Sequence, residues 1–485
     1  MIPLVLALAA VAALLLPPEL AAAPRLEPCR LRGVEHDALC GHLRRPLDPS
    51  KPDGTSIELH FAVLPALARN KHPDPLFFLA GGPGQSAIDL AGPVGRLFQR
   101  ISNRRDVVLV DQRGTGRSAP LACDAPAPTR PLRELVSPQQ QRVMLADCLA
   151  RLKTLPQGDL RQYTTTIAMA DLDAVREHLG AERINLVGGS YGTRAALEYL
   201  RQFPQRVRRM VIDGVAPPDM VLPASFSTDA QASFDALIES CRLEPACRDR
   251  HPALRERWQG LLASLPREVS VAHPLTGQGE SLQLTREMLV GMVRLPLYLP
   301  RLAAALPETL EQAADGRFGA LLGLLSAMSG PRSATDMAMG MHFSVVCAED
   351  MPRLGTTQDR PGADFGASLA DIYRAVCADW PRGQVPDGFY EVRPASTPVL
   401  VLSGGIDPVT PPRHGERVAT ALGANARHVV VPNAGHGVMG IGCMRDVLFR
   451  FVDAQDPAEA LKVETGCVEG IPRPPAFRPV TGGGQ

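Results

Sequence analysis

A serine set among glycines is the first residue able to do chemistry. In Gly188-Gly189-Ser190-Tyr191-Gly192, the apolar run Ile184-Asn185-Leu186-Val187 gives way to Ala195-Ala196-Leu197-Glu198-Tyr199-Leu200. The spacing predicts a strand, a sharp turn carrying G-x-S-x-G, and a helix. A side chain at Gly188 or Gly192 would collide with the adjoining strand or helix, and the serine is expected in a strained backbone conformation. That strain would lift the Ser190 hydroxyl clear of the sheet edge. The helix that follows would aim free N–H groups at developing negative charge, as acyl transfer requires.

A serine hydroxyl is a weak nucleophile until a base takes its proton and an acid orients that base. Hydrolases with this turn carry the acid and then the histidine later in the chain, on loops after late strands. Two glycine-rich loops fit that order. Asp407 lies in Ser403-Gly404-Gly405-Ile406-Asp407-Pro408, and His436 lies in Pro432-Asn433-Ala434-Gly435-His436-Gly437. His436 is expected to be the general base and then general acid, with Asp407 orienting it. His428 opens a strand and His414 lies in a charged helical start, so both read as structural. Asp213, at the end of the strand after the serine turn, is the rival acid; Asp407 is preferred because its loop closely precedes His436.

The tetrahedral intermediate needs donors for its oxyanion. One is expected from the backbone N–H of Tyr191, and a second from the early turn Gly81-Gly82-Pro83-Gly84, where Gly81 and Gly82 are equal candidates. The segment Asp111 to Ser118 carries an Asp/Arg pair expected to brace neighbouring loops.

These residues need a frame, and the chain supplies short apolar runs bounded by Gly and Asp. Ile57 to Val63, Pro75 to Ala80, Arg105 to Val110, Arg209 to Asp213, Pro398 to Leu402 and His428 to Val431 read as buried strands. Helical periodicity over Pro138 to Leu152 and Ile167 to Leu179 alternates with them. An α/β fold is expected, with a mostly parallel sheet and helices on both faces. Between Pro218 and Val392 the pattern turns helical and proline-broken, which predicts a helical cap inserted into the sheet domain. The resulting division is a core in two parts, 24–217 and 393–470, a cap over 218–392 and a loosely ordered tail over 471–485.

At 485 residues, 45% apolar, 21% charged and formally neutral, the chain has the composition of an ordinary globular protein. Without a basic cluster, nucleic acid and anionic membrane surfaces are poor partners. Residues 1–23 hold an apolar run too short for a comfortable span and ending in small residues, so they are expected to be an export signal, with no other membrane association. The ten cysteines fall in near couples, Cys29/Cys40, Cys123/Cys148, Cys241/Cys247, Cys347/Cys377 and Cys443/Cys467. Neighbour pairing in an oxidising compartment is the simplest expectation. No couple has C-x-x-C spacing or histidines at ligand spacing, so neither a metal nor another cofactor is expected.

Taken together, Gly81-Gly82-Pro83-Gly84, Asp111 to Ser118, Gly188 to Gly192 and the Asp407 and His436 loops resemble the proline iminopeptidase family of α/β-hydrolases. The late segment, with Pro411, Gly435-His436 and Cys443, resembles the tripeptidyl aminopeptidase-like C-terminal region of its secreted members. One departure is Ala80, where iminopeptidases usually carry histidine. The resemblance implies a serine aminopeptidase cutting peptides near a free N-terminus; an esterase or amidase with the same triad is the alternative. An exopeptidase of this kind needs a carboxylate facing the substrate ammonium. Glu349 and Asp350 are the candidates, while nearby Met337, Met339, Met341 and Phe343 read as core. The oligomeric state is left open.

Overall fold

The computed structural model describes residues 26–328 and 337–479. The expected signal over 1–23 lies outside these. Among the described residues eleven strands form, β1 (Glu27–Cys29), β2 (Ala38–Pro46), β3 (Ser56–Leu64), β4 (Leu76–Leu79), β5 (Val107–Val110), β6 (Ile184–Gly189), β7 (Val207–Asp213), β8 (Arg267–Ala272), β9 (Gly279–Leu284), β10 (Val399–Gly404) and β11 (Ala426–Val431). Nine of them make one sheet in the order β1-β2-β3-β5-β4-β6-β7-β10-β11. From β5 to β11 all neighbours are parallel, while β1, β2 and β3 add an antiparallel edge.

The runs are apolar throughout because both faces are covered. Alternate residues of one strand serve opposite cores: Phe78, Val187 and Val211 pack with Phe98 and Phe451, whereas Phe77, Leu186 and Met210 pack with Leu172 and Tyr199. Burying each such side chain stabilises the fold by about 1.5–3 kcal/mol. The parallel order has a chemical consequence, since every loop leaving a parallel strand's carboxyl end emerges on one rim of the sheet. Ser190 follows β6, Asp407 follows β10 and His436 follows β11.

Between β7 and β10 the chain builds a roof with its own apolar centre, where Phe234 and Phe365 pack near Trp258. Long helices dominate it, notably Leu222–Leu243, Arg286–Leu297 and Met339–Glu349. It also contains the antiparallel hairpin β8-β9, which the helical expectation passed over. The helix Met339–Glu349 packs down onto the sheet domain, sharing a cluster with Tyr163, Tyr191 and Leu121. Met341 and Phe343 are buried in that cluster, as core residues.

All five neighbour disulfides form: Cys29–Cys40, Cys123–Cys148, Cys241–Cys247, Cys347–Cys377 and Cys443–Cys467. They fit an oxidising compartment. No helix among the described residues is long and apolar enough to cross a membrane. The composition of the tail predicted looseness, but residues 471–479 are tied down by bonds that composition does not reveal. The Phe477 N–H donates to Ala304 O at 2.8 Å, and Asn433 Nδ2 donates to Ile471 O at 2.9 Å.

Candidate active site

The serine turn is built as its spacing requires. Ser190 sits at φ 55° and ψ −125°, one of two described non-glycine residues with positive φ. A Cβ on Gly188 would lie 2.2 Å from Gly192 O, and one on Gly192 would lie 2.3 Å from Leu79 O. Neither glycine has room for a side chain, because strand and helix meet at backbone distance. The turn is locked from below: the Ser190 N–H donates to Asp213 O at 2.9 Å, and Thr193 Oγ1 donates to Ser190 O at 2.6 Å. Ser190 remains partly exposed at the head of the helix Tyr191–Gln202.

His436 and Asp407 meet. Nδ1–H of His436 donates to Asp407 Oδ2 at 2.8 Å, which leaves Nε2 as the basic nitrogen. The carboxylate is itself saturated. The N–H groups of Val409 and Thr410 donate to Oδ1 at 2.8 and 3.0 Å, and the Thr410 hydroxyl donates to Oδ2 at 2.8 Å. Burial pushes the Asp407 carboxyl up, but the charge and hydrogen bond of His436 and the two N–H donors hold it below its ordinary range. For His436, burial favours the neutral ring; the charge and hydrogen bond of Asp407, aided by the charge of Asp213, outweigh that and raise its pKa. An ionised acid against an orientable imidazole is the arrangement that can accept and return a proton.

Asp213, the rival acid, has a different task. Its Oδ2 accepts the N–H groups of Val438 and Met439 at 2.7 and 2.9 Å, and it lies beyond hydrogen-bond contact with the imidazole. At the same strand end, Gly214 lies against the ring, since a Cβ there would be 3.1 Å from His436 Cε1. The end of β7 therefore touches both the serine turn and the histidine loop, and holds them on one rim. Burial pushes the Asp213 carboxyl up to about 6.

Of the two early glycines, Gly81 stands against the serine, where a Cβ would be 3.1 Å from Ser190 Cβ. Gly82 turns away at φ 109°, toward Gly84. Tyr191 opens the helix, so its N–H has no intrahelical partner and is free to meet an oxyanion. The roof fixes the glycine turn: the Ala338 N–H donates to Gly84 O at 2.9 Å, and His342 Nδ1–H donates to Pro83 O at 3.1 Å. Burial holds His342 neutral, with a pKa near 4. Asp111 braces the same turn by accepting from Ser86 Oγ at 2.7 Å and the Ile88 N–H at 3.1 Å. Arg113 braces elsewhere, on Asp171 at 2.7 Å, so the two brace separately.

Glu349 and Asp350 correct the sequence expectation. They are 1% and 0% exposed and spend their oxygens internally, so neither stands open to an incoming ammonium. Asp350 forms a bidentate pair with Arg194 of the serine helix at 2.9 and 3.0 Å. Glu349 accepts from the Thr165 N–H at 2.7 Å and from Thr165 Oγ1 at 3.0 Å. That hydroxyl is 2.7 Å from the Tyr191 phenol. Pairing across 156 and 184 residues leaves no trace in local spacing, which is why the two acids read as an open pair.

Between the roof and the segment 125–141 lies a cavity of about 630 Å³, lined by apolar residues such as Phe226, Met292 and Ile372. Glu287 and Arg294, both on the helix Arg286–Leu297, bring opposite charges to its wall. That helix ends beside the imidazole. The His436 N–H donates to Tyr298 O at 3.0 Å, and the Tyr298 ring meets the imidazole edge-on at 5.3 Å. Neither charged residue had a motif that could have singled it out in the sequence.

The chain is similar to several known proteins. A family model described as alpha/beta hydrolase fold matches residues 74–240, and one described as TAP-like protein matches residues 363–459. Serine protease Hip1 of Mycobacterium tuberculosis is 27% identical over 429 residues, covering 81% of this chain and 82% of that protein. Tripeptidyl aminopeptidase of Streptomyces lividans is 30% identical over 195 residues, covering 37% of this chain and 35% of that one. Among solved structures, proline iminopeptidase of Mycobacterium smegmatis is 16% identical, with a TM-score of 0.36 over 87% of this chain and 100% of that chain.

Proposed function

We propose that this chain, which belongs to the α/β-hydrolase family of serine peptidases, is an exported serine aminopeptidase cutting peptides near a free N-terminus. The observation that carries the proposal is the His436–Asp407 pair, 2.8 Å apart, on the rim where the strained Ser190 turn emerges. In this reading His436 takes the proton of Ser190 as Oγ attacks the scissile carbonyl, and Asp407 stabilises the imidazolium. The Tyr191 N–H and a donor from the Gly81-Gly82 turn hold the oxyanion. His436 then protonates the departing amine, and water repeats the cycle on the acyl-enzyme. The five disulfides and the apolar leader support export to the periplasm or beyond.

The carboxylate for a substrate ammonium must then come from elsewhere than Glu349 and Asp350. Glu287 is exposed on the cavity wall, with no ion-pair partner among the described residues. Glu287→Gln is expected to raise KM for free-amine peptides about tenfold, the worth of one charge-assisted hydrogen bond. Comparing free with N-acetylated peptide p-nitroanilides tests the whole reading. Acetylation should abolish cleavage; equal turnover of both would leave an esterase or amidase instead.

The pH profile offers a second check. The base works as the neutral ring, so activity falls as pH drops through its pKa. The raised His436 predicts an acid limb in kcat/KM with its midpoint above the ordinary imidazole value of 6.5. Asp213 titrates in the same window, so the limb belongs to the pair. Asp213→Asn keeps an acceptor for Val438 and Met439 but removes the charge that helps raise His436. A stopped assay across pH 5–8 should show the midpoint moving down; an unmoved midpoint would remove Asp213 from the electrostatics of the site.

A further inference from the structure

Arg294 makes neither an ion pair nor a bond to a backbone carbonyl among the described residues. Its one polar contact there is with the Tyr298 hydroxyl, to which Nη1 donates at 3.3 Å. Two rings hold it in place, Phe226 at 5.4 Å and Tyr298 at 5.8 Å from the guanidinium carbon. Other sheltered arginines are engaged, Arg209 by the backbone carbonyls of Arg208 and Ala454 and three more by carboxylates. Arg105, Arg113 and Arg194 each face an aspartate at 2.7–2.9 Å. A half-buried guanidinium positioned by aromatic faces, with most of its fork unused, is built to receive a planar anion. Glu287, two turns earlier on the same helix and about 10 Å away along the axis, makes no ion pair with Arg294.

The place of Arg294 relative to the chemistry narrows the ligand. Tyr298, which touches Arg294, also touches the imidazole and accepts the His436 N–H. Tyr298 thus stands between Arg294 and the imidazole, its ring 5.8 Å from the guanidinium carbon and 5.3 Å from the histidine ring. Resting on the aminopeptidase reading of the same site, we propose that Arg294 is a specificity residue that binds a carboxylate on a residue flanking the scissile bond. That carboxylate is either an acidic side chain or the free C-terminus of a short peptide, and one cap cavity then offers Glu287 to the ammonium and Arg294 to the acid.

Two substrate pairs on the full chain separate the sources: Ala-Ala-Glu against Ala-Ala-Gln p-nitroanilide, and a free tetrapeptide against its C-terminal amide. The wild type should favour the carboxylate member of one pair about tenfold in kcat/KM, through KM, and the responding pair identifies the source. Arg294→Gln should bring that ratio close to one and Arg294→Lys should retain part of it, with fluorophosphonate labelling of Ser190 showing that the serine turn is intact in each. Wild-type ratios near one in both pairs overturn the assignment without any variant, as does a ratio that Arg294→Gln leaves unchanged. If blocked and free amines are cleaved alike, the aminopeptidase reading falls, and the same ratios read on N-acetyl forms still decide Arg294.

Discussion

Ser190→Ala is expected to lower kcat by about a millionfold and to abolish fluorophosphonate labelling, while the fold survives. The residual rate should still exceed that of water, because the oxyanion donors and the cavity remain. A companion variant separates chemistry from strain. At φ 55° a Cβ is unfavourable, so alanine inherits the tension of the native serine, whereas glycine releases it. Ser190→Gly should be equally inactive but more stable than Ser190→Ala by about 1 kcal/mol in denaturant unfolding. Equal stabilities would mean that the turn is held without strain. Appreciable activity in either variant would mean that the nucleophile lies elsewhere.

What the sequence could disclose follows from how local each constraint is. The serine turn was legible because its two glycines answer to backbone contacts made within the same strand-turn-helix unit. Asp407 and His436 were legible because each sits a few residues beyond an apolar run, in a loop whose glycines permit close approach. The hairpin β8-β9 was legible in principle: Val269 and Val271, then Leu282 and Leu284, alternate with exposed residues at period two. Helical periodicity on both sides masks so short an alternation. Strand β2 gave less to read, since Ala38–Pro46 mixes half-buried Leu39, Cys40 and Leu43 with exposed His42 and Arg44 near the sheet edge. Contacts between distant segments left no local mark at all, which is why Asp213 read as a possible acid and Glu349 and Asp350 as a possible ammonium site.

Those two acids carry the second large effect, on stability and, through it, on catalysis. Arg194→Met should destabilise the chain by about 3–5 kcal/mol, because it leaves Asp350 and Glu349 buried without their counter-charge. That is a large share of the margin by which a domain is folded. The loss should depend on pH, with a defined sign. Burial already raises the Glu349 carboxyl to about 7 against the charge of Arg194, which opposes the rise. A raised carboxyl contributes stability that is present below its unfolded value and lost as pH climbs through its folded one. Without Arg194 the folded value climbs further, so the variant's deficit should be greater at pH 8 than at pH 5 in urea melts. Adding Asp350→Leu should recover part of it, since an apolar replacement removes the charge left stranded. Activity should fall as well in the fraction that stays folded. Glu349 grips Thr165, whose hydroxyl meets the Tyr191 phenol, and Tyr191 supplies the N–H proposed to face the oxyanion. A deficit equal at both pH values, with kcat unchanged in the folded fraction, would reduce the cluster to packing. A pH-dependent deficit with a lowered kcat would make it the brace that aims the serine helix.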